Sequence, residues 1–350
     1  MSPAATTQGT PAPTSRLGTD PVTLWLVAVI IMVIMMVVLG GVTRLTQSGL
    51  SMVDWRPIMG ILPPMSDAAW IEAFNAYKRF PEYQRVNYGM TLAEFKVIFL
   101  MEYAHRVWGR LIGLAYALPF AWFVIRGKLR GRQTLALGGV LLLGGAQGLM
   151  GWIMVKSGLI DTPSVSPYRL AAHLGLAIAI YICLLWIVLT RLNPRPAPEG
   201  RILATRARAA LALTLITLVS GAFVAGLDAG MTYNSFPLMD GRWIPEGLLI
   251  LEPIWRNPFE NVTLVQFNHR WLAIITVLAV LMLGIKAVGA PIPTRARAAV
   301  LATVAAVLAQ AVLGIATLIL VVPVALGAAH QSGALLLIGV LTWAVHESRG

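Results

Sequence analysis

Apolar residues in this chain neither alternate nor recur as a one-sided stripe; they come in long unbroken runs. Runs of about 20 apolar residues, the length that crosses a hydrocarbon layer, lie near 22–43, 98–125, 133–154, 169–190, 207–226, 265–285, 298–320 and 325–345. The pattern predicts an all-α polytopic membrane protein with eight transmembrane helices. The expected organisation is a disordered tail (1–21), a first four-helix half (22–191), a basic linker (192–206) and a second four-helix half (207–347).

Between the first two runs, the long loop 44–91 carries its own pattern. Trp70, Phe74 and Tyr77 follow Pro63-Pro64 and Ser66 at helical spacing, which predicts a helix lying on the membrane surface. Thr91-Leu92-Ala93-Glu94 has the form of a capping box, with Met90 and Phe95 placed as its hydrophobic staple. A helix running from there to Ile125 is ~50 Å long and overshoots the ~30 Å hydrocarbon layer. The counterpart loop 227–260 is shorter and holds Pro237, Pro245, Pro253 and Pro258; Asn261-Val262-Thr263 at its end is a glycosylation sequon that abuts the membrane.

Composition agrees with the pattern: 57% of residues are apolar and 12% charged. A net charge of +12 raises nucleic acid as a partner, but its placement removes that reading. Arg126, Lys128, Arg130 and Arg132 fill one short loop. Arg191, Arg195, Arg201, Arg206 and Arg208 fill a second, and Lys286, Arg295 and Arg297 a third. These loops follow runs two, four and six, so they share one side, and the positive-inside rule makes that side cytoplasmic with both termini. The excess charge is topogenic, and membrane lipid is the bulk partner. Cys183 is the sole cysteine, which excludes an intramolecular disulfide, an Fe–S cluster and a thiolate zinc site. The Thr-, Pro- and Ala-rich residues 1–21 match neither a signal peptide nor a transit peptide.

The chain repeats itself weakly. Gly40 to Ser51, followed by Trp55 to Gly60, resembles Gly221 to Thr232 followed by Phe236 to Gly241. His105-Arg106 matches His269-Arg270, Ala146-Gln147-Gly148-Leu149 resembles Ala309-Gln310-Ala311-Val312, and Pro167 to His173 resembles Pro323 to His330. The halves are therefore expected to be parallel, repeat-related four-helix bundles. Counted back from the basic loops, His105, His173, His269 and His330 all lie ~25–31 Å above the cytoplasmic boundary. They form one layer near the outer face, on helices two, four, six and eight, whereas His346 falls at the opposite face.

Intramembrane histidines are costly and mark ligands, relays or ion sites. Zinc or copper would want further Cys, Asp or Glu, and only Glu102 is nearby. Haem iron needs one or two histidines from facing helices in an apolar site. Of the three ways to pair four histidines, internal symmetry selects His105 with His173 and His269 with His330. Arg106 and Arg270 are candidate propionate contacts, the alternative being snorkelling to the interface. The glycines of run three, with Gly144 and Gly148 in GxxxG spacing, read as close helix packing. Trp108, Trp152 and Trp271 read as packing or interfacial anchors. Glu102 breaks the symmetry. It stands one turn before His105 on the same helical face, and Gln266, which cannot titrate, takes its place before His269. Its alternative reading is an ordinary salt bridge to Arg106.

Taken together, Gly40-Gly41-Val42-Thr43-Arg44-Leu45-Thr46, Glu102-x-x-His105-Arg106, Ala172-His173-Leu174, Asn268-His269-Arg270 and Ala329-His330-Gln331 resemble the haem A synthase family. The resemblance spans about residues 22–345. It implies an eight-helix oxidoreductase that converts the C8 methyl of haem O to a formyl group through a hydroxymethyl stage, for cytochrome oxidase. It also implies a haem b cofactor on His269 and His330, substrate haem O facing His105 and His173, and Glu102 as the essential acid. A haem O synthase and cytochrome oxidase assembly factors are the implied partners, and the bacterial cytoplasmic (inner) membrane the implied location. Some members carry a cysteine pair in the first outer loop. None stands between 44 and 91 here, so the chain looks like the cysteine-free class. Two other readings are a di-haem b electron-transfer protein, which would not need the asymmetric Glu102, and a proton-coupled transporter, whose site would lie at the midplane rather than near one face.

Overall fold

The computed structural model describes residues 20–53, 62–158 and 165–350. The Trp55 to Gly60 motif and residues 1–19 of the expected tail lie outside the described residues. Eleven α-helices are described: α1 (Pro21–Leu45), α2 (Asp67–Tyr77), α3 (Pro81–Arg85), α4 (Leu92–Ile125), α5 (Arg132–Gly158), α6 (Pro167–Leu192), α7 (Ala204–Gly226), α8 (Asn257–Glu260), α9 (Val262–Val288), α10 (Thr294–Ile319) and α11 (Val324–Glu347). Eight of them are long and apolar enough to cross a membrane: α1, α4, α5, α6, α7 with its preceding 3-10 turn, α9, α10 and α11. This is a multi-pass integral membrane protein, and among the described residues β-structure amounts to one isolated bridge, Met239 with Arg242.

Local chemistry sets where the helices begin. Asp20 caps α1, accepting from the Thr23 amide at 3.0 Å, and Pro21 occupies a position that has no amide bond to lose. The capping box at the head of α4 is present in both directions, and the helix runs 34 residues without a break despite Pro119. Asn261 caps α9 and is only 4% exposed, its amide bonded to Gly247 and Leu248 carbonyls, so the sequon there is closed to modification.

Helix pairing fits two repeat-related bundles. α1 packs on α4, α6 and α11, and α7 packs on α9, α11 and α6. Gln47 after α1 and Asp228 after α7, corresponding positions of the repeat, both take a left-handed backbone with φ near 51°. The two sets of four differ in tightness. α10 buries seven residues along its length, from Ala296 to Thr317, whereas α5 buries only Leu137, Val140 and Gly158.

Two expectations change here. The Trp70–Phe74–Tyr77 stripe faces protein, not lipid: Phe74 and Tyr77 are buried, with Phe74 stacked on Phe95 at 5.0 Å and Trp70 edge-on to Phe99 at 5.1 Å. The overshooting turns of α4 supply the apolar surface that a membrane was expected to supply. The glycines of α5 do not pack helices either. A methyl placed on Gly139, Gly144, Gly145 or Gly148 would meet nothing within 4 Å. Two glycines in that helix make a close approach: Gly151, whose neighbour is His173, and Gly158 at the helix end, whose neighbour is Leu50.

Candidate functional site

The four histidines stand on α4, α6, α9 and α11, each toward the end of its helix away from the basic loops. That end is the histidine face. His105 lies close enough to His173 to feel its charge, and His269 likewise feels His330. All four are surrounded by protein, and all keep a partly accessible edge.

A glycine from a neighbouring helix meets each imidazole. A Cβ on Gly40 of α1 would lie 3.1 Å from His105 Nε2, and one on Gly221 of α7 would lie 3.0 Å from His269 Cε1. A Cβ on Gly151 of α5 would lie 3.2 Å from His173 Cε1, and one on Gly314 of α10 would lie 2.8 Å from His330 Cε1. Such distances are at or below the tightest that real side chains show, so the missing methyl is what lets each ring sit there. Gly40 and Gly221 are repeat mates, as are Gly151 and Gly314, and sequence reading saw only the first pair as part of a motif.

Glutamines complete the two sites differently. Gln147 of α5 brings its amide nitrogen to His173 Nε2 at 3.2 Å. Its repeat mate Gln310 of α10 reaches His330 Nδ1 at 3.1 Å and the His330 main-chain carbonyl at 2.9 Å, leaving Nε2 open. Buried polar atoms without partners cluster here: Nδ1 of His173 and of His269, and the amide oxygens of Gln147, Gln266 and Gln310. Native interiors rarely leave so many groups unmet without a ligand's use for them. Paired imidazoles with open nitrogens, held in glycine cradles between apolar helices, suit a tetrapyrrole iron. Among the described residues, no group of three or more His, Cys, Asp or Glu is placed to hold a bare metal ion.

Glu102 is 2% exposed and fully engaged. One oxygen accepts from Ser51 Oγ at 2.7 Å and the Met52 amide at 2.8 Å, and the other from Arg106 at 2.5 Å. A surface i,i+4 pair contributes ~0.2–0.5 kcal/mol. Stranding one partner of a buried pair costs ~3–5 kcal/mol, so burial makes this bridge far more consequential than its spacing suggests. Arg106 also donates to the Met52 carbonyl at 3.0 Å. In the second half Arg270 donates to the carbonyls of Tyr233 (2.6 Å) and Ser235 (2.7 Å), and Gln266 to that of Tyr233 at 3.2 Å. Both arginines thus clasp the loop that covers their own bundle.

The bundles meet through α1. Gln331, next to His330, donates to the Val37 carbonyl at 2.7 Å, and its side chain fills the space a methyl on Gly41 would need. Arg44 reaches Asp228 and the Ala225 carbonyl, at 2.9 and 2.7 Å. At the opposite face His346 is fully buried beside Trp186 and Thr190, remote from the layer of four.

Comparison with known proteins bears on this arrangement. Residues 23–342 match the family model COX15-CtaA, described as cytochrome oxidase assembly protein. A protein of Rhodospirillum centenum named heme A synthase is 48% identical, with the alignment covering 100% of this chain and 92% of that protein. Heme A synthase COX15 of Mus musculus is 48% identical over 98% of this chain and 85% of its own length. The human protein of that name is 49% identical over 89% and 79%.

Proposed function

As the chain belongs to the COX15-CtaA family of cytochrome oxidase assembly proteins, we propose that it is a haem A synthase, an oxidoreductase that converts the C8 methyl of haem O to a formyl group for cytochrome oxidase. The observation that carries this reading is the unequal pair of histidine sites. Both offer two imidazoles in glycine cradles, and only one has a buried carboxylate a helical turn away.

In this reading His269 and His330 hold haem b, which supplies one-electron redox chemistry when bound. Gln310 fixes the His330 ring from its Nδ1 side and keeps Nε2 directed at the ligand position. His105 and His173 face the substrate haem O. There Gln147 occupies Nε2 of His173 until the substrate takes its place. Glu102 serves as the base beside the reacting edge, oriented by Ser51, the Met52 amide and Arg106. Arg106 and Arg270 hold the covering loops over the two sites, and their guanidinium groups are the cations within reach of propionates at the rim. The positive-inside rule places the basic loops and both termini in the cytoplasm, with the histidine face on the outer side of a bacterial inner membrane. Haem O arriving from a haem O synthase, and haem A leaving toward oxidase assembly factors, complete the reading.

The test is expression in a host that makes haem O, followed by extraction and chromatography of the non-covalent haems. Hydroxymethyl and formyl products are expected from the intact protein. Glu102→Ala should keep its haem b spectrum and lose product at least ~100-fold, the scale of general acid–base catalysis. Folded protein that yields only unmodified haem would instead favour the di-haem b electron carrier.

A further inference from the structure

The stripe of α4 that carries the buried acid continues inward from it. Glu102, Arg106 and Arg110 follow one another at four-residue steps, and Gly113 stands one turn further on. On α9 the repeat keeps one member of this series, Arg270, and has Gln266, Ile274 and Val277 in place of the others. Arg110 is therefore a second residue, after Glu102, that the first bundle has and the second lacks. It lies inside a membrane span, where an arginine is costly and calls for an anionic partner. Glu102, the acid on its stripe, is taken by Arg106, and Nη1 of Arg110 is buried with no hydrogen-bond partner.

The space at its height is open. Tyr116 of α4 donates to the Leu137 carbonyl of α5 at 2.7 Å, which joins the two helices toward their cytoplasmic ends. Nearer the histidines their glycines touch nothing. Gly144 lies on the face of α5 that buries Val140 and brings Gly151 to His173, yet a methyl on Gly144, or on Gly113 of α4, would meet nothing within 4 Å. Gly148 is open in the same way and stands sixteen residues from Arg132, as Arg110 stands sixteen from Arg126. In the second bundle the residues matching Gly113 and Gly144 are Val277 and Val307, both packed in its core. Each wall of the first bundle thus lacks a side chain close to the level of the unpartnered guanidinium.

We propose that Arg110 binds a propionate carboxylate of haem O and thereby sets which edge of the porphyrin meets Glu102. Two imidazoles along the iron axis fix the plane of a porphyrin but not its rotation about that axis, and haem O carries several ring methyls. The methyl at C8 shares its pyrrole ring with a propionate, so a cation that holds this propionate holds that methyl beside it. A guanidinium suits the task because its planar fork meets a carboxylate with two parallel hydrogen bonds. Glu102 stands ~12 Å from Arg110 along the helix axis, a separation comparable to the width of a porphyrin, with Arg106 between them. Ile274 offers no such anchor, as befits a site whose occupant is not oxidised at its edge. The step is binding alone: no bond is made or broken at Arg110.

The inference rests on the first bundle being the haem O site, and the experiment separates the two. Full-length protein loaded with haem b, in phosphatidylcholine nanodiscs, would be titrated with haem O and with its dimethyl ester, in which both propionates are neutral. The optical difference spectrum reports binding. The intact protein is expected to bind haem O about 10–100-fold more tightly than the ester, the factor for a hydrogen bond to a charged group. Arg110→Gln and Arg110→Ile, the second of which matches the repeat, should lose most of that preference with the haem b spectrum unchanged. Arg110→Lys should keep part of it. Turnover of haem O by Arg110→Gln should also yield hydroxymethyl products at methyls other than C8, separable by chromatography. An undiminished preference in both Arg110→Gln and Arg110→Ile overturns the proposal, as does an intact protein that binds acid and ester alike. An effect of Arg110→Gln confined to nanodiscs that contain phosphatidylglycerol would assign the guanidinium to a lipid phosphate and overturn it too. A preference that depends on Arg110, without any product from the intact protein, would leave the anchor standing and remove the synthase reading. Product formed at C8 with no dependence on Arg110 would do the reverse.

Discussion

The two bundles are built to one plan and finished to different tolerances. In the second, α10 is buried along its length and its glutamine holds His330 from the side away from the ligand position. In the first, α5 buries little, its glycines 139, 144, 145 and 148 face open space, and its glutamine sits on the nitrogen a ligand would need. Lipid tails are as apolar as leucine, so helix association in a membrane depends on close packing and hydrogen bonds. A loosely packed helix therefore loses contact energy without exposing apolar surface to water. In the proposed reading, the difference is what a resident cofactor and a transient substrate demand: one site preset, one able to open.

The largest effect that would break this comparison is loss of the resident group. His269→Ala or His330→Ala should abolish the low-spin haem b absorption of purified protein, while His105→Ala and His173→Ala retain it. Equal loss from both pairs would mean the sites are alike. Smaller effects come from the cradles. Gly314→Ala should shift or broaden the haem b resonance in electron paramagnetic spectra, because its methyl would press 2.8 Å from His330 Cε1. Gly144→Ala, which meets nothing within 4 Å, should leave that spectrum as it is and change thermal stability by less than ~1 kcal/mol. The smallest effect concerns the cover of the first site. Because Glu82 binds its proton more tightly folded than unfolded, stability should fall as pH rises from about 4.5 to about 8 and level off above. Glu82→Gln should flatten that slope in thermal melts.

The sequence pattern disclosed the eight spans because they depend on length and hydropathy. The pairing of the four histidines was readable only through the repeat. What stayed hidden depended on close approach. Gly40 and Gly151 look alike on paper to Gly144, and only the distance to an imidazole separates them. Gln147 and Gln310 are visible repeat mates, but the nitrogen each one meets is set by the separation of α5 from α6 and of α10 from α11. Glu82 is one acid in a loop of nearly balanced charge, and burial alone distinguishes it. The surface helix was misjudged for a related reason: an apolar stripe does not say whether lipid or protein will cover it.

The seam through α1 also constrains how the molecule is made. Val37 and Gly41, which receive Gln331, belong to α1, and Gln331 belongs to α11, which is synthesised later. Arg44, at the end of the first span, meets its acidic partner only after Asp228 has been synthesised. Neither bundle can finish its wall from its own segment. α1 must remain in the bilayer without the Gln331 contact and the Arg44–Asp228 pair until α11 has been added.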